Sequence, residues 1–233
     1  MINKVIIFDS STLITLAMNG LLEELKNLKK IFMGEFIVTK EVIDETINRP
    51  LKIKRFELEA IKLKKLLEEK ILEKPVVLGI EDSEISKKTD VLMSIANTTF
   101  EGKGKNIHII DLGEASCLAL SKILNKKNIK NIIAVDERTT RVLCEKPENL
   151  KELLQKKLKI PIKENQENYF HFKEFKFIRS SELIYVAYKK KLIRWAQEKN
   201  ILDALLYSLK FKGCAISNEE IEEIKKLDRN SLK

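Results

Sequence analysis

The chain has 233 residues, of which 44% are hydrophobic and 34% are charged, and its formal net charge is +9. This length suits one large domain, or a domain of ordinary size with an extension, and the apolar content argues against wholesale disorder. Three cysteines lie far apart and form no CxxC pair, which excludes a zinc ribbon and a disulfide framework. No uncharged stretch approaches the ~20 residues of a membrane helix, and the N-terminus lacks a signal-peptide pattern. We therefore predict a soluble cytoplasmic protein with buried free thiols.

The excess of positive charge has two interpretations. The lysines are scattered as Lys-Lys pairs along the predicted helices, which is typical of solvated helix faces. Summed positive charge also attracts polyanions such as nucleic acid or an anionic membrane surface. Charge alone leaves both interpretations open.

Short runs of β-forming residues alternate with segments of helical apolar spacing. Strands are predicted at residues 5–8, 35–39, 75–78, 131–135 and 175–180. Helices are predicted at residues 12–28 (with an interruption near Gly20), 56–72, 81–100, 148–158, 182–196 and 202–211. Four more are placed by one end only: one begins near residue 40, one ends at 124, one begins near 139, and one follows Ser217, where Glu220 completes a capping box. Residues 101–105 are predicted to form a polar loop. The alternation implies right-handed crossovers and a mostly parallel sheet that is covered on both faces.

Two acids follow the two clearest strands. Asp9 ends the first strand and Asp136 ends the strand at residues 131–135. Each has an ordinary structural explanation as a helix cap, as does Glu114, which has capping-box spacing from Asp111. Glu45 has the alternative of a solvated helix residue.

Taken together, these acids favour a metal site. If the strands of Asp9 and Asp136 are neighbours, both carboxylates lie at the edge of the sheet where open α/β folds bind ligands. Carboxylates at close range need a cation or a shared proton, and oxygen ligands select Mg²⁺ or Mn²⁺. Of the two histidines, His108 is predicted to be packed inside an apolar run and His171 lies among aromatic residues in a loop. Clustered carboxylates with such a metal suit phosphodiester hydrolysis.

The pattern resembles the PIN-domain nucleases, the family that includes the VapC toxins. Four motifs carry the resemblance, in the family's order, over about residues 1–145: residues 6–11 (IIFDSS), 41–45 (EVIDE), 112–115 (LGEA) and 134–136 (AVD). The resemblance implies a three-layer α/β/α fold with a central parallel sheet of order 3-2-1-4-5. It divides the chain into a nuclease domain at residues 1–147 and a mostly helical extension at residues 148–233, similar to extensions on archaeal PIN-like proteins.

The resemblance also implies roles for particular residues. The catalytic acids would be Asp9, Glu45, Glu114 and Asp136, with Asp9, Glu114 and Asp136 as ligands of Mg²⁺ or Mn²⁺. Ser11 would support Asp9, while Asp111 and Glu137 are additional or substitute ligands. Glu41 competes with Glu45, and Glu45 better matches the place of the family's acid in this helix. The implied partners are RNA, a second copy of the chain and an antitoxin-like protein.

Other functions stay open or are excluded by the residues. Residues 8–12 also resemble the first motif of haloacid-dehalogenase-type phosphatases, which need an acid where this chain has Ser11. Dinucleotide and ATP binding would require a glycine-rich loop, which the chain lacks. A PIN fold that binds RNA or protein with little or no hydrolysis is the open alternative.

A basic C-terminal segment suggests where nucleic acid could bind. Its cations are Lys189, Lys190, Lys191 and Arg194, interleaved with Tyr185, Tyr188 and Trp195. Grooves for single-stranded nucleic acid combine charge and aromatic residues in this way. A core-facing aromatic stripe with solvated lysines is the alternative.

Overall fold

The structure is a computed structural model that describes residues 4–230, with side chains described for residues 4–228. Residues 1–3 and 231–233, the outer ends of the two predicted regions, lie outside the described residues. The strands are β1 (Lys4–Phe8), β2 (Glu35–Ile37), β3 (Phe100–Gly102), β4 (Lys105–Asn106), β5 (Lys130–Ala134), β6 (Ile162–Glu164) and β7 (Phe177–Ile178). The helices are α1 (Ser10–Met18), α2 (Leu22–Ile31), α3 (Lys40–Ile43), α4 (Glu57–Glu68), α5 (Asp82–Asn97), α6 (Leu112–Lys126), α7 (Arg138–Glu145), α8 (Pro147–Leu158), α9 (Ser180–Lys189), α10 (Ile201–Phe211) and α11 (Asn218–Asn230).

The central sheet is parallel and has the strand order β2-β1-β5-β7. Strand β1 lies inside it, with Phe8 opposite Ala134 of β5 and Ile7 opposite Ile37 of β2. The last four residues of β1 are all buried, as expected for a strand covered on both faces by helices. The predicted α/β class with a parallel sheet is confirmed, and the strands that precede Asp9 and Asp136 are neighbours.

The predicted strand at residues 75–78 is wrong. This segment is a 3₁₀ turn, Pro75–Leu78, which ends at Gly79 in the left-handed conformation. Pro75 has no N–H to donate to a ladder, and Val76 and Val77 are exposed rather than buried. The chain meets the sheet two residues earlier, where Glu73 exchanges backbone hydrogen bonds with Phe36 (2.8 Å) and Val38 (3.0 Å). The edge beyond β2 therefore holds a single bridge, and the five-strand order is not seen.

A second, antiparallel sheet has the order β4-β3-β6. The predicted loop at residues 101–105 is wrong, because this segment forms the β3–β4 hairpin, with Lys103 and Gly104 at positive φ in its turn. Phe100, at the start of β3, is fully buried. The hairpin is completed by β6, which lies about sixty residues downstream, with Gly102 opposite Ile162. That pairing is long-range and leaves no local pattern in the sequence.

The C-terminal region packs on the core. It supplies β7 to the central sheet, and its buried residues, among them Leu183, Ile184 and Leu206, belong to the same hydrophobic cluster as β1. The predicted helix at residues 182–196 is shorter, because α9 ends at Lys189 and Lys191 adopts a positive φ. Among residues 4–230, no helix has the combination of length and apolar character required to cross a membrane.

Candidate acidic site

Asp9 lies where β1 ends and α1 begins, and its side chain is 1% exposed. Its Oδ2 accepts hydrogen bonds from the Ser11 backbone N–H (2.9 Å) and from the Ser11 hydroxyl (2.5 Å). The Asp9 side chain therefore caps α1, as the capping alternative predicted. Burial raises the pKa of Asp9, and the hydrogen bonds from Ser11 oppose that effect. A buried strand-end carboxylate with a raised pKa is expensive to ionise without a positive partner.

Glu45 reaches the same region from a π-type turn, Asp44–Asn48, that continues α3. Its Oε1 accepts a hydrogen bond from the backbone N–H of Gly113 (3.1 Å). A Cβ on Gly113 would overlap the Glu45 carboxylate, so the absence of a side chain at Gly113 is what permits this close approach. Burial raises the pKa of Glu45, and the negative charge of Asp9 adds to the effect.

Glu114 lies in the first turn of α6, one residue after Gly113. Its Oε2 accepts from the backbone N–H of Asp111 (2.9 Å), and its Oε1 accepts from the Thr140 hydroxyl of α7. Burial raises the pKa of Glu114 to about 8, with the charge of Asp9 as the next cause. Near neutral pH this carboxyl is therefore mostly protonated when no cation is nearby.

Glu137 is the fourth acid that couples to the others. It caps α7, accepting from the Thr140 backbone N–H (3.1 Å) and the Thr139 hydroxyl (2.7 Å). Its charge adds to the burial effect that raises the pKa of both Asp9 and Glu114. We refer to Asp9, Glu45, Glu114 and Glu137 as the acid cluster. Four separate elements contribute to it at the carboxyl edge of the parallel sheet.

Asp136 is placed differently from the acid cluster. It is fully buried, and its Oδ1 accepts from the Ser180 backbone N–H (2.7 Å) at the start of α9. Its own N–H donates to the Ser11 hydroxyl (3.0 Å), and its carbonyl oxygen accepts from the Ala215 N–H (3.0 Å). Its Oδ2 accepts no hydrogen bond from the described protein atoms. One carboxylate oxygen of Asp136 thus anchors the C-terminal region, and the other has no protein partner.

Two further predicted residues lie at the margin of the site. Asp111 caps α6 and is exposed, and its Oδ1 lies 2.7 Å from Nε2 of His108. The prediction that His108 is packed is wrong, because its side chain is 64% exposed. The apolar run continues through Ile109 and Ile110, but the hydrogen bond to Asp111 holds the imidazole at the surface. Glu41, the competitor of Glu45, accepts from Ser86 of α5 (3.3 Å).

The donor types of the acid cluster fit a hard divalent cation. All are carboxylate oxygens, as Mg²⁺ and Mn²⁺ prefer, and Asp136 Oδ2 adds a buried oxygen without a hydrogen bond. Among the side chains of residues 4–228, no lysine, arginine or histidine forms an ion pair with any of these five acids.

The carboxylates are not gathered around one point, since no three His, Cys, Asp or Glu residues in the described chain are placed to share an ion. Cation binding therefore requires these carboxylate groups to move closer together than they lie in this structure.

The predicted nucleic-acid contacts in the C-terminal region were Lys189, Lys190, Lys191 and Arg194. Lys189 forms an ion pair with Asp228 (3.0 Å). Arg194 forms an ion pair with Glu24 (3.2 Å), whose side chain is fully buried. The other two lysines are exposed. Two of the four cations are thus already neutralised by partners within the protein.

Three residues of the site were missed by the sequence interpretation. The Ser10 hydroxyl donates to Asp9 Oδ1 (3.5 Å) and lowers the pKa of Glu45, the Thr140 hydroxyl donates to Glu114, and the Ser180 N–H donates to Asp136. Ser10 lies within the first motif and Thr140 lies four residues after Asp136, so hydroxyl side chains near the acids in sequence were the available signal. Ser180 is 44 residues from Asp136, and no local pattern joins them.

No protein-family model, no curated protein and no solved structure matches this chain.

Proposed function

We propose that the protein is a Mg²⁺- or Mn²⁺-dependent endoribonuclease whose reaction centre is the acid cluster. The observation that carries the proposal is the electrostatic coupling of four carboxylates at the carboxyl edge of the sheet without a lysine, arginine or histidine ion-pair partner among the described residues. Buried carboxylates in this arrangement repel one another, and a divalent cation removes the repulsion. The order of the motifs, which resembles that of PIN-domain nucleases, supports the same proposal.

The chain's own residues would hold and orient the cation's ligands. Asp9, Glu45 and Glu114 would bind the cation, with Glu137 as a further oxygen donor. The bound cation would supply an activated water and neutralise charge on the scissile phosphate. Ser11 fixes the Asp9 carboxylate through two hydrogen bonds, which restricts its orientation before any ligand arrives.

The strand order of the central sheet supports the same proposal. We propose that the order β2-β1-β5-β7 corresponds to strands 2-1-4-5 of the PIN arrangement 3-2-1-4-5, in which the bridge at Glu73 takes the place of strand 3 beside β2. RNA is proposed as the substrate. A second copy of the chain and an antitoxin-like protein stay predictions from the resemblance.

A binding module without hydrolysis is the second candidate, and one observation favours it. The described carboxylates are not grouped to share an ion, and Asp136 is committed to Ser180 of the C-terminal region. A PIN-like fold that had exchanged its metal site for structural hydrogen bonds would have this arrangement.

The test is Mn²⁺-dependent cleavage of a mixed RNA pool by wild type and Asp9→Asn. We expect wild type to cleave and Asp9→Asn to lose at least about a hundredfold in rate, because the central carboxylate is removed. Glu45→Gln and Glu41→Gln form a matched pair four residues apart on the same helix. Glu45→Gln should lose activity and Glu41→Gln should keep it, since Glu41 contacts α5 instead. Activity that survives Asp9→Asn would refute the site, and RNA binding without cleavage by wild type would favour the binding module.

A further inference from the structure

The surface has a lysine-rich groove outside the acidic site. Three adjoining hollows form it: one of about 400 Å³ shares Lys122 and Lys126 with a second of about 450 Å³, and shares Asn125 and Glu174 with a third of about 520 Å³. The lysines that line them are Lys87, Lys88, Lys122, Lys126, Lys130, Lys173 and Lys176. Helices α5 and α6, the start of β5 and the segment before β7 contribute to this lysine groove. One acid, Glu174, lines it as well.

Among the described residues, the positive charge of the lysine groove exceeds its negative charge, since seven lysines and one glutamate line it. None of its lysines forms an ion pair with any side chain of residues 4–228, whereas Lys26, Lys29 and Lys151 elsewhere each pair with a glutamate. Lys122 is half-buried, and burial lowers its pKa; the negative charge of Glu174 opposes that effect, and the positive charges of Lys88 and Lys126 add to it. Unpaired like charges held this close favour an anionic partner that neutralises them.

Aromatic rings stand beside these lysines. The Phe170 side chain is 75% exposed although it is large and apolar. Its ring lies 6.0 Å from that of His171 in an edge-on arrangement, and Lys122 Nζ lies 5.8 Å from the centre of the Phe175 ring. An exposed ring among unpaired lysines is the combination with which single-stranded nucleic acid is bound without sequence readout.

The lysine groove and the acid cluster are joined by one helix. Helix α6 carries Glu114 in its first turn and Lys122 and Lys126 near its end. At 1.5 Å per residue these lysines lie about 12 and 18 Å along the axis from Glu114. A bound strand several nucleotides long could therefore contact both places.

We propose that the lysine groove binds the sugar–phosphate backbone of single-stranded RNA and that Phe170 provides a stacking platform for a base. The inference rests on the proposed function, because it takes RNA as the substrate. It adds that the RNA strand is bound by the lysine groove, which lies apart from the acid cluster. An acidic protein segment has charge to match the lysines but no bases to cover Phe170.

The test measures binding of a fluorescein-labelled, mixed-sequence 20-nucleotide RNA by anisotropy in EDTA, so that metal-dependent cleavage cannot contribute. The groove variant is Lys87→Ala/Lys122→Ala/Lys126→Ala. We expect its dissociation constant to rise roughly tenfold or more, and the slope of log K against log salt to fall by about 2, since each lost phosphate contact on a single strand removes about 0.7. The matched control is Lys54→Ala/Lys64→Ala/Lys225→Ala, which removes the same charge from lysines already paired with acids.

Phe170→Ala separates stacking from charge. It should weaken binding roughly fivefold or more with an unchanged salt slope, and Phe170→Trp should restore the affinity. Equal losses in the groove and control variants, or no RNA binding by wild type, would overturn the proposal. A polyglutamate peptide that binds more tightly than RNA and is released by the groove substitutions would overturn it in favour of an acidic protein partner. If the groove variant cleaves long RNA in Mn²⁺ as wild type does, the groove proposal fails and the proposed function stands.

Discussion

Glu114 offers the most direct test of the electrostatics of the acid cluster. Its pKa is raised from 4.5 to about 8, first by burial and then by the charge of Asp9. The folded protein therefore holds this proton over a pH range in which the unfolded chain has released it. The stability linked to Glu114 is complete below pH 4.5 and is lost as the pH rises through 8, because the folded state binds more protons than the unfolded state in that window.

The size of the effect follows from the shift. One proton of difference changes the free energy of unfolding by about 1.4 kcal/mol per pH unit, so the loss between pH 5 and pH 8 is about 3 kcal/mol. Glu114→Gln keeps the shape, its amide oxygen can accept from the Asp111 N–H and its amide NH₂ can donate to the Thr140 hydroxyl, but it cannot ionise. The substitution should therefore leave stability at pH 5 nearly unchanged and raise it by about 3 kcal/mol relative to wild type at pH 8.

Urea unfolding in EDTA between pH 5 and pH 9 measures this difference. Parallel stability–pH curves for wild type and Glu114→Gln would refute the reasoning. A second arm adds MgCl₂ at pH 8, where an ion bound only by the folded state at ten times its dissociation constant stabilises wild type by about 1.4 kcal/mol. That gain should be absent from Asp9→Asn. A gain of equal size in both would show that the ion binds elsewhere.

Two substitutions test how neighbouring residues position the acids. Gly113→Ala places a Cβ where the Glu45 carboxylate now lies, and we expect Mn²⁺-dependent cleavage to fall by about tenfold or more while the free energy of unfolding stays within about 1 kcal/mol; normal cleavage would contradict this role of Gly113. Ser11→Ala removes the acceptor of the buried Asp136 N–H, and urea unfolding should show a loss of about 1–3 kcal/mol. Ser10→Ala removes the neighbouring hydroxyl as a matched control, and equal losses in the two variants would contradict the bridging role.

The parts of the fold that were predicted correctly depend on local patterns. Residues 5–8 are all apolar because β1 is covered on both faces. These four consecutive apolar residues are enough to predict the strand. The interruption of the first helical segment near Gly20 is also local, since Gly20 adopts a positive φ of 69° that suits glycine. The capping box of Ser217 and Glu220 forms as predicted, with hydrogen bonds of 2.8 and 3.2 Å.

The errors have two causes, a distant strand in one case and a local proline in the other. Residues 101–105 have the composition of a loop, but pairing with β6 makes them a hairpin. The run at residues 75–78 has the composition of a strand, but Pro75 cannot donate to β2 and the bridge forms at Glu73 instead. A pattern over a few residues contains no information about which partner will be adjacent.

The acids of the candidate site show the same division. Motif order placed Asp9, Glu45 and Glu114 at one edge of the sheet, and the structure brings them into electrostatic contact. The fourth acid differs from the prediction. The charge of Glu137 raises the pKa of Asp9, whereas the side chain of Asp136, one residue earlier, is buried and hydrogen-bonds Ser180. Neighbouring residues beyond a strand end point in different directions, and the segment that captures one of them cannot be identified from the motif itself.

The hydrogen bonds of Asp136 make the C-terminal region part of the support of the site. The Ser11 hydroxyl donates to Asp9 and accepts from the Asp136 N–H, and the Asp136 carboxylate accepts from the N–H of Ser180, the first residue of α9. A carboxylate at a helix N-terminus is stabilised by the unpaired N–H groups there, so this contact is favourable without a cation. The position of Asp9 is therefore determined by α9 as well as by β1. Oδ1 of Asp136 makes the hydrogen bond to Ser180, and Oδ2 has no donor among the described protein atoms. Asp136 can therefore hold α9 in place with one oxygen while the other remains open to a ligand.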